Sequence, residues 1–118
     1  MSRELDAWVV EHIFGYYPFW EGSELVYCKE PLGKRQTIYD VPYYSTNLMD
    51  AWEIMEKFLE TVDFDIRFGL TSPYVTAIIK DEKGKTVQSA DTKAPKAICL
   101  SAYKYTTGKD WEEKDSVD

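Results

Sequence analysis

The single imidazole and the two thiols, His12, Cys28 and Cys99, are the obvious places to look for chemistry in this chain of 118 residues. A histidine beside a cysteine can draw off the thiol proton and create a nucleophile, but none of the three stands in a local signature of such a pair. His12 falls near the centre of the apolar stripe of an N-terminal helix, which reads as a partly buried ring hydrogen-bonded to backbone or to a tyrosine. Cys99 lies among Ala97 and Ile98, where packing is the better reading. Structural zinc asks for three or four Cys and His ligands, and no two of these residues are close in sequence. No loop carries the alternating oxygen ligands of an EF-hand. Glycines stand at 15, 22, 33, 69, 84 and 108, too dispersed to cradle a phosphate. Glu53, Glu56 and Glu60 recur at i, i+3 and i+7 and could share a cation or a proton. They read instead as the wet side of a helix, with Lys57 pairing Glu53, because catalytic carboxylates need burial to shift their proton affinity. No catalytic residue, metal or cofactor is expected.

Recognition has a better candidate. Tyr16, Tyr17, Phe19, Trp20, Tyr27, Tyr39, Tyr43 and Tyr44 crowd one stretch, largely in predicted loops and at strand ends. Tyr and Trp offer contact area at low entropic cost, as binding surfaces require, although tyrosine also serves simply to cover a sheet. The candidate binding residues are Tyr16, Tyr17, Trp20, Tyr43 and Tyr44.

The elements that must position them follow from periodicity. Leu5, Trp8, Val9 and Ile13 predict a helix over 3–14, capped by Ser2 and closed by Gly15. Residues 24–29 and 36–41 predict a hairpin turning through Glu30-Pro31-Leu32-Gly33. Leu48, Ala51, Trp52, Met55, Leu59 and Val62 fall within about 100° on a helical wheel, which predicts a helix over 46–61 with Ser45 or Thr46 as cap and Trp52 locked inside. Phe64, Ile66 and Phe68 alternate with Asp65 and Arg67 on a strand. Residues 74–80 and 85–89 form two more strands around Asp81-Glu82-Lys83-Gly84, the last polar enough for an edge. A closing helix begins near Pro95, presents Ala94, Ile98, Ala102 and Tyr105 on one face and ends at Gly108. The resulting order is α-β-β-α-β-β-β-α. It describes an α+β single domain over 1–108, a mainly antiparallel sheet of four to five strands layered with three helices, followed by an acidic mobile tail at 109–118.

The opening helix Leu5-Asp6-Ala7-Trp8-Val9-Val10-Glu11-His12-Ile13-Phe14-Gly15, the block Tyr44-Ser45-Thr46-Asn47-Leu48-Met49-Asp50-Ala51-Trp52-Glu53-Ile54-Met55-Glu56-Lys57, and Ala94-Pro95-Lys96-Ala97-Ile98-Cys99 with Ala102 form three blocks in order. Together they resemble the phage ABA sandwich domain family of small phage and prophage proteins. The resemblance spans 5–108 and implies a sheet between helical layers and a phage or prophage origin. It implies no catalytic residues. His12 stands where the family more often has Lys, Asn47 where it has Asp and Leu100 where it has a basic residue, while 70–93 matches poorly. Those departures bear on partner or ligand specificity.

Composition narrows the partner. A formal charge of −7 opposes nonspecific grip on a nucleic-acid backbone, which takes clustered Lys and Arg. With 44% apolar residues the chain closes one core without disulfides, and Cys28 and Cys99 are expected as free thiols in a reducing cytoplasm. No apolar run approaches the roughly 20 residues of a membrane span. The expected protein is a non-catalytic phage accessory protein that binds a protein partner, a host or defence factor, through the Tyr16 to Tyr44 surface with the acidic face of the 46–61 helix as a second contact; the residues specify no oligomeric state. The alternative is a pocket that sequesters a small ligand such as a signalling nucleotide, its base stacked on aromatics and its phosphates met by Arg3, Lys34, Arg35 and Arg67. The scaffold reading leans on Trp52 contributing shape alone. An indole facing water, or His12 beside an ionised thiol in a closed cleft, collapses it.

Overall fold

The computed structural model describes residues 3–31 and 37–112. They fall into two compact units, residues 1–43 and 44–118.

In the first unit α1 (Glu4–His12) is followed by β1 (Tyr17–Glu21), β2 (Glu24–Cys28) and β3 (Tyr39–Asp40). These strands form an antiparallel sheet in the order β1-β2-β3, with α1 packed against β1. Gly15, at φ +76°, turns the chain out of the helix while the Tyr16 N–H bonds back to the Val10 carbonyl at 3.0 Å. The buried face of α1 is Leu5, Asp6, Val9 and Val10, so the stripe is rotated from the expected one: Trp8 and Ile13 are only half-buried and His12 is exposed. The expected pairing of 24–29 with 36–41 exists as Val26↔Asp40 and Tyr27↔Tyr39. Its turn, like the Ser2 cap, involves residues outside the described ones.

β1 is a strand that periodicity did not indicate, and it raises the strand count to six rather than four or five. Pro18 inside the run argues against a strand, yet β1 is outermost in its sheet, where a missing N–H is tolerated. Gly22 takes φ +65° in the two-residue connection Gly22-Ser23, the glycine-first geometry of a tight hairpin.

In the second unit α2 (Leu48–Phe58), β4 (Asp63–Phe68), β5 (Val75–Lys80), β6 (Thr86–Asp91) and α3 (Ala94–Thr107) follow in turn. The sheet is antiparallel, β4-β5-β6; α3 packs on β5 and β6, and α2 packs on α3 and β4. β6 lies at an edge, as its polarity suggests. Asn47, not Ser45 or Thr46, caps α2, its side-chain oxygen accepting from the Asp50 N–H at 3.1 Å. The inner face of α2 is Ala51, Ile54 and Met55, with Phe58 half-buried and edge-on to Phe64 and Tyr105. This face is turned away from Trp52, which is 50% exposed, correcting the expectation of a locked indole; Leu48 and Leu59 are exposed with it. Phe64 is buried and Ile66 half-buried as expected, but Phe68 at the end of β4 is exposed.

α3 buries Ala97, Ile98, Cys99, Ser101 and Ala102 and ends at Gly108, whose φ of +77° lets its N–H reach the Lys104 carbonyl at 2.8 Å. The small residues admit a close approach to the sheet, and the Ser101 hydroxyl donates to the Ala77 carbonyl on β5 at 2.6 Å. Past the helix, Trp111 meets Tyr103 edge-on at 4.9 Å and Lys104 pairs with Asp110 at 3.3 Å. Residues 113–118 of the expected tail lie outside the described residues. The α+β class with antiparallel pairing and three helices is as expected; the strands form two three-stranded sheets instead of one, and the order gains one strand.

Candidate functional site

Successive side chains of a strand point to opposite faces, so the register sorts the aromatic cluster. Pro18 and Trp20 of β1, Tyr27 of β2 and Tyr39 of β3 share one face. Tyr17 and Phe19, opposite Cys28 and Val26, share the other. On the first face Tyr16 stacks on Tyr27 with centroids 5.3 Å apart and planes 9° from parallel, and Tyr27 stacks on Tyr39 at 5.3 Å and 26°. The Lys29 ammonium lies 5.7 Å from the Tyr16 centroid and 5.0 Å from that of Tyr39, within cation–π range of both. Trp20 is 56% exposed and Tyr39 39%, so the ladder is open to solvent along its margin.

The five candidate residues therefore do not form one surface. Tyr16 and Trp20 belong to the ladder face, and Tyr17 to the reverse. Tyr43 lies under the Arg3 guanidinium, 3.7 Å from the ring centroid, with half its surface exposed. Tyr44 is buried at 4% exposure, which removes it from any binding surface. Tyr27, Tyr39 and Lys29 complete the face. Tyr27 and Tyr39 were visible as aromatics, but only the register places them beside Tyr16.

Arg3 shows what the sequence concealed. Its Nε donates to Asp6 Oδ2 at 3.0 Å and its Nη2 to the Val41 and Pro42 carbonyls at 2.8 and 2.7 Å. The Asp6 side chain is almost completely buried and that of Arg3 largely so. One fork of donors thus joins the start of α1 to the chain beyond β3. The i, i+3 spacing of Arg3 and Asp6 hinted at the ion pair, but nothing local foretold the carbonyls. Arg3 also borders a small cleft of about 210 Å³ with Ser23, Glu24, Leu25, Asp40, Val41 and Tyr43. With its Nε and Nη2 donors engaged in this way and its side chain largely buried, Arg3 is poorly placed to serve the phosphate of the small-ligand alternative, and Lys34 and Arg35 lie outside the described residues.

The residues weighed for catalysis are scattered. His12 is exposed, tilted over Trp8 at 5.2 Å and 3.8 Å from Glu11. Cys28 and Cys99 are buried thiols in no disulfide, the Cys28 thiol donating to the Glu30 carbonyl at 3.3 Å. Glu53, Glu56 and Glu60 line the exposed side of α2. Burial, then the charges of Asp50 and Glu56, hold the Glu53 carboxyl above its ordinary range. Among the described residues no group of three or more His, Cys, Asp and Glu could hold a metal ion, and no helix is long and apolar enough to cross a membrane.

A second acidic region, a cleft of about 600 Å³, lies between residues 59–63 and Lys80, Asp81 and Glu82. Its Asp81 accepts from the backbone N–H groups of Lys83 and Lys85 and from the Tyr105 hydroxyl at 3.1 Å, which serves to shape the β5–β6 turn. Partial burial opposes its charge, but these hydrogen bonds and Lys85 prevail and hold the carboxyl below its usual range. Burial and the same contact push the Tyr105 phenol up.

The phage ABA sandwich domain model matches residues 7–103. No curated protein matches the chain. Among solved structures, a 2.0 Å crystal structure of a phage protein from Bacillus cereus ATCC 14579 is similar with a TM-score of 0.69 and 21% identity, over 95% of this chain and 93% of that one. At that identity the likeness carries the fold.

Proposed function

We propose, from the premise that this chain belongs to the phage ABA sandwich domain family, that it is a non-catalytic phage accessory protein. It binds a macromolecular partner, a host or defence protein met in the cytoplasm of the infected cell, through the open face of the β1-β2-β3 sheet. The observation that carries this reading is the ladder Tyr16–Tyr27–Tyr39 with Lys29 across it and the exposed Trp20 beside it. Rings already stacked on one another lose little freedom when a partner covers them, and Trp and Tyr dominate the energetics of protein interfaces. The reading no longer draws on a buried Trp52. That support fell with the exposed indole, and the aromatic sheet face stands in its place.

The test compares captures from infected host cells by intact-complex mass spectrometry, with wild type, Tyr17→Ala and the double variant Trp20→Ala/Tyr39→Ala as bait. The expected result is a protein partner held by wild type and by Tyr17→Ala, whose change lies on the reverse face, and lost from the double variant. Retention by all three overturns the surface assignment. A bound small molecule in place of a protein overturns the partner class in favour of the nucleotide-sized ligand.

A further inference from the structure

The exposed flank of α2 is a second surface with its own logic. Leu48, Trp52 and Leu59 stand at i, i+4 and i+11, one turn and then two turns apart, and each leaves about half its surface in water at 51, 50 and 50%. They form a strip beside the buried Ala51, Ile54 and Met55, with Met49 farther round the helix at 80% exposure. On the side away from the core the strip is bordered by Glu56, Glu60 and Glu53, all exposed. An apolar strip of this length with anchors at helical spacing is the shape that an amphipathic helix covers.

The charge decides what kind of helix. A second copy of the chain would bring its own Glu53, Glu56 and Glu60 to this border, and like charges at a contact repel. A partner with lysines or arginines along the margin of its apolar face gains at every one of these carboxylates and is steered in by the overall charge of −7. The Glu53 carboxyl is held above its ordinary range by partial burial first and then by the negative charges of Asp50 and Glu56. We infer that the Leu48–Trp52–Leu59 strip with its Glu53, Glu56 and Glu60 border is a docking site for a basic amphipathic helix of a partner protein. This goes beyond the tyrosine-ladder reading, uses none of its residues and stands or falls separately.

The test uses the full chain, ¹⁵N-labelled, titrated with a synthetic amphipathic peptide of leucine and lysine about 18 residues long, roughly five helical turns. The expected result is movement of the Trp52 indole N–H signal, assigned with Trp52→Phe, and of amides in 48–60. Glu53→Gln/Glu56→Gln/Glu60→Gln, which leaves the apolar strip whole, should weaken binding about tenfold or more, as should raised salt. Trp52→Ala should weaken it similarly, while Trp20→Ala/Tyr39→Ala should not. A leucine and glutamate peptide should not bind. The inference is overturned if the basic peptide leaves Trp52 unmoved, if the triple Gln variant binds it as wild type does, or if the α2 signals shift with protein concentration alone, which would make the occupant a second copy. Loss of binding in Trp20→Ala/Tyr39→Ala with Trp52 unaffected would also overturn it, and would leave the ladder reading intact.

Discussion

In residues 3–43 a guanidinium ties the helix start to the chain beyond β3, whereas in residues 44–112 two helices are held to a sheet by apolar side chains and by two hydroxyls of α3, Ser101 on Ala77 and Tyr105 on Asp81. The first unit buries the charged Asp6 along with Val9, Val10 and Val41, where the second buries Ile54, Ile79 and Ile98. The difference follows from shape. A single nine-residue helix and a short three-stranded sheet offer little apolar area, so a polar clamp that satisfies three acceptors at once contributes where burial runs short. The second unit, with two helices on its sheet, needs only to fix the register between α3 and β5.

The largest way to break this contrast is Asp6→Ala. Losing the carboxylate leaves a largely buried guanidinium with part of its donor set unmet, and urea unfolding should report a loss of about 3 kcal/mol. A cost near zero would mean that the clamp is decoration and that apolar burial alone holds both units. Ser101→Ala sharpens the other side, because the hydroxyl is a single neutral hydrogen bond and its removal should cost about 1 kcal/mol by the same measurement.

The smallest effect is at the β5–β6 turn and shows in the pH dependence. The Asp81 carboxyl is lowered in the folded chain, so its contribution is complete above its unfolded value and lost as pH falls through the folded one. The Tyr105 phenol is raised, so its contribution is complete below its unfolded value and lost as pH rises through the folded one. Tyr105→Phe should therefore lower the thermal midpoint modestly at neutral pH and converge on wild type at both acid and alkaline extremes. Parallel curves across the whole range would show that the contact carries no linkage.

How much of this was legible follows from which interactions are local. The extents of α2 and α3, the Gly84 turn and the polar edge of β6 are written in short spacings and were read to within a few residues. The family too was readable, from three blocks in order. β1 carries no clean alternation of its own and holds Pro18 within its run, so only its pairing with β2 across Gly22-Ser23 reveals it. Trp52 was misplaced because α2 carries apolar residues over more than one face, and only the packing of α3 and β4 decides that Ile54 and Phe58 go inside. The candidate site was half legible. Its residue types stood out, but Tyr16 and Tyr17 were grouped together although strand alternation sends adjacent side chains apart. Arg3 gave only the i, i+3 hint of its pair with Asp6, since its other two acceptors are backbone groups 38 and 39 positions away.

Pro18 has an implication for how the ladder face is used. The outermost strand of a small sheet ordinarily invites another extended chain to hydrogen-bond alongside it, which is how such sheets grow into aggregates. The ring at position 18 deletes one donor from that rim, so addition of a further strand there is interrupted. A sheet that leaves Trp20 and Tyr39 open to water is thereby guarded at this rim against growth by strand addition.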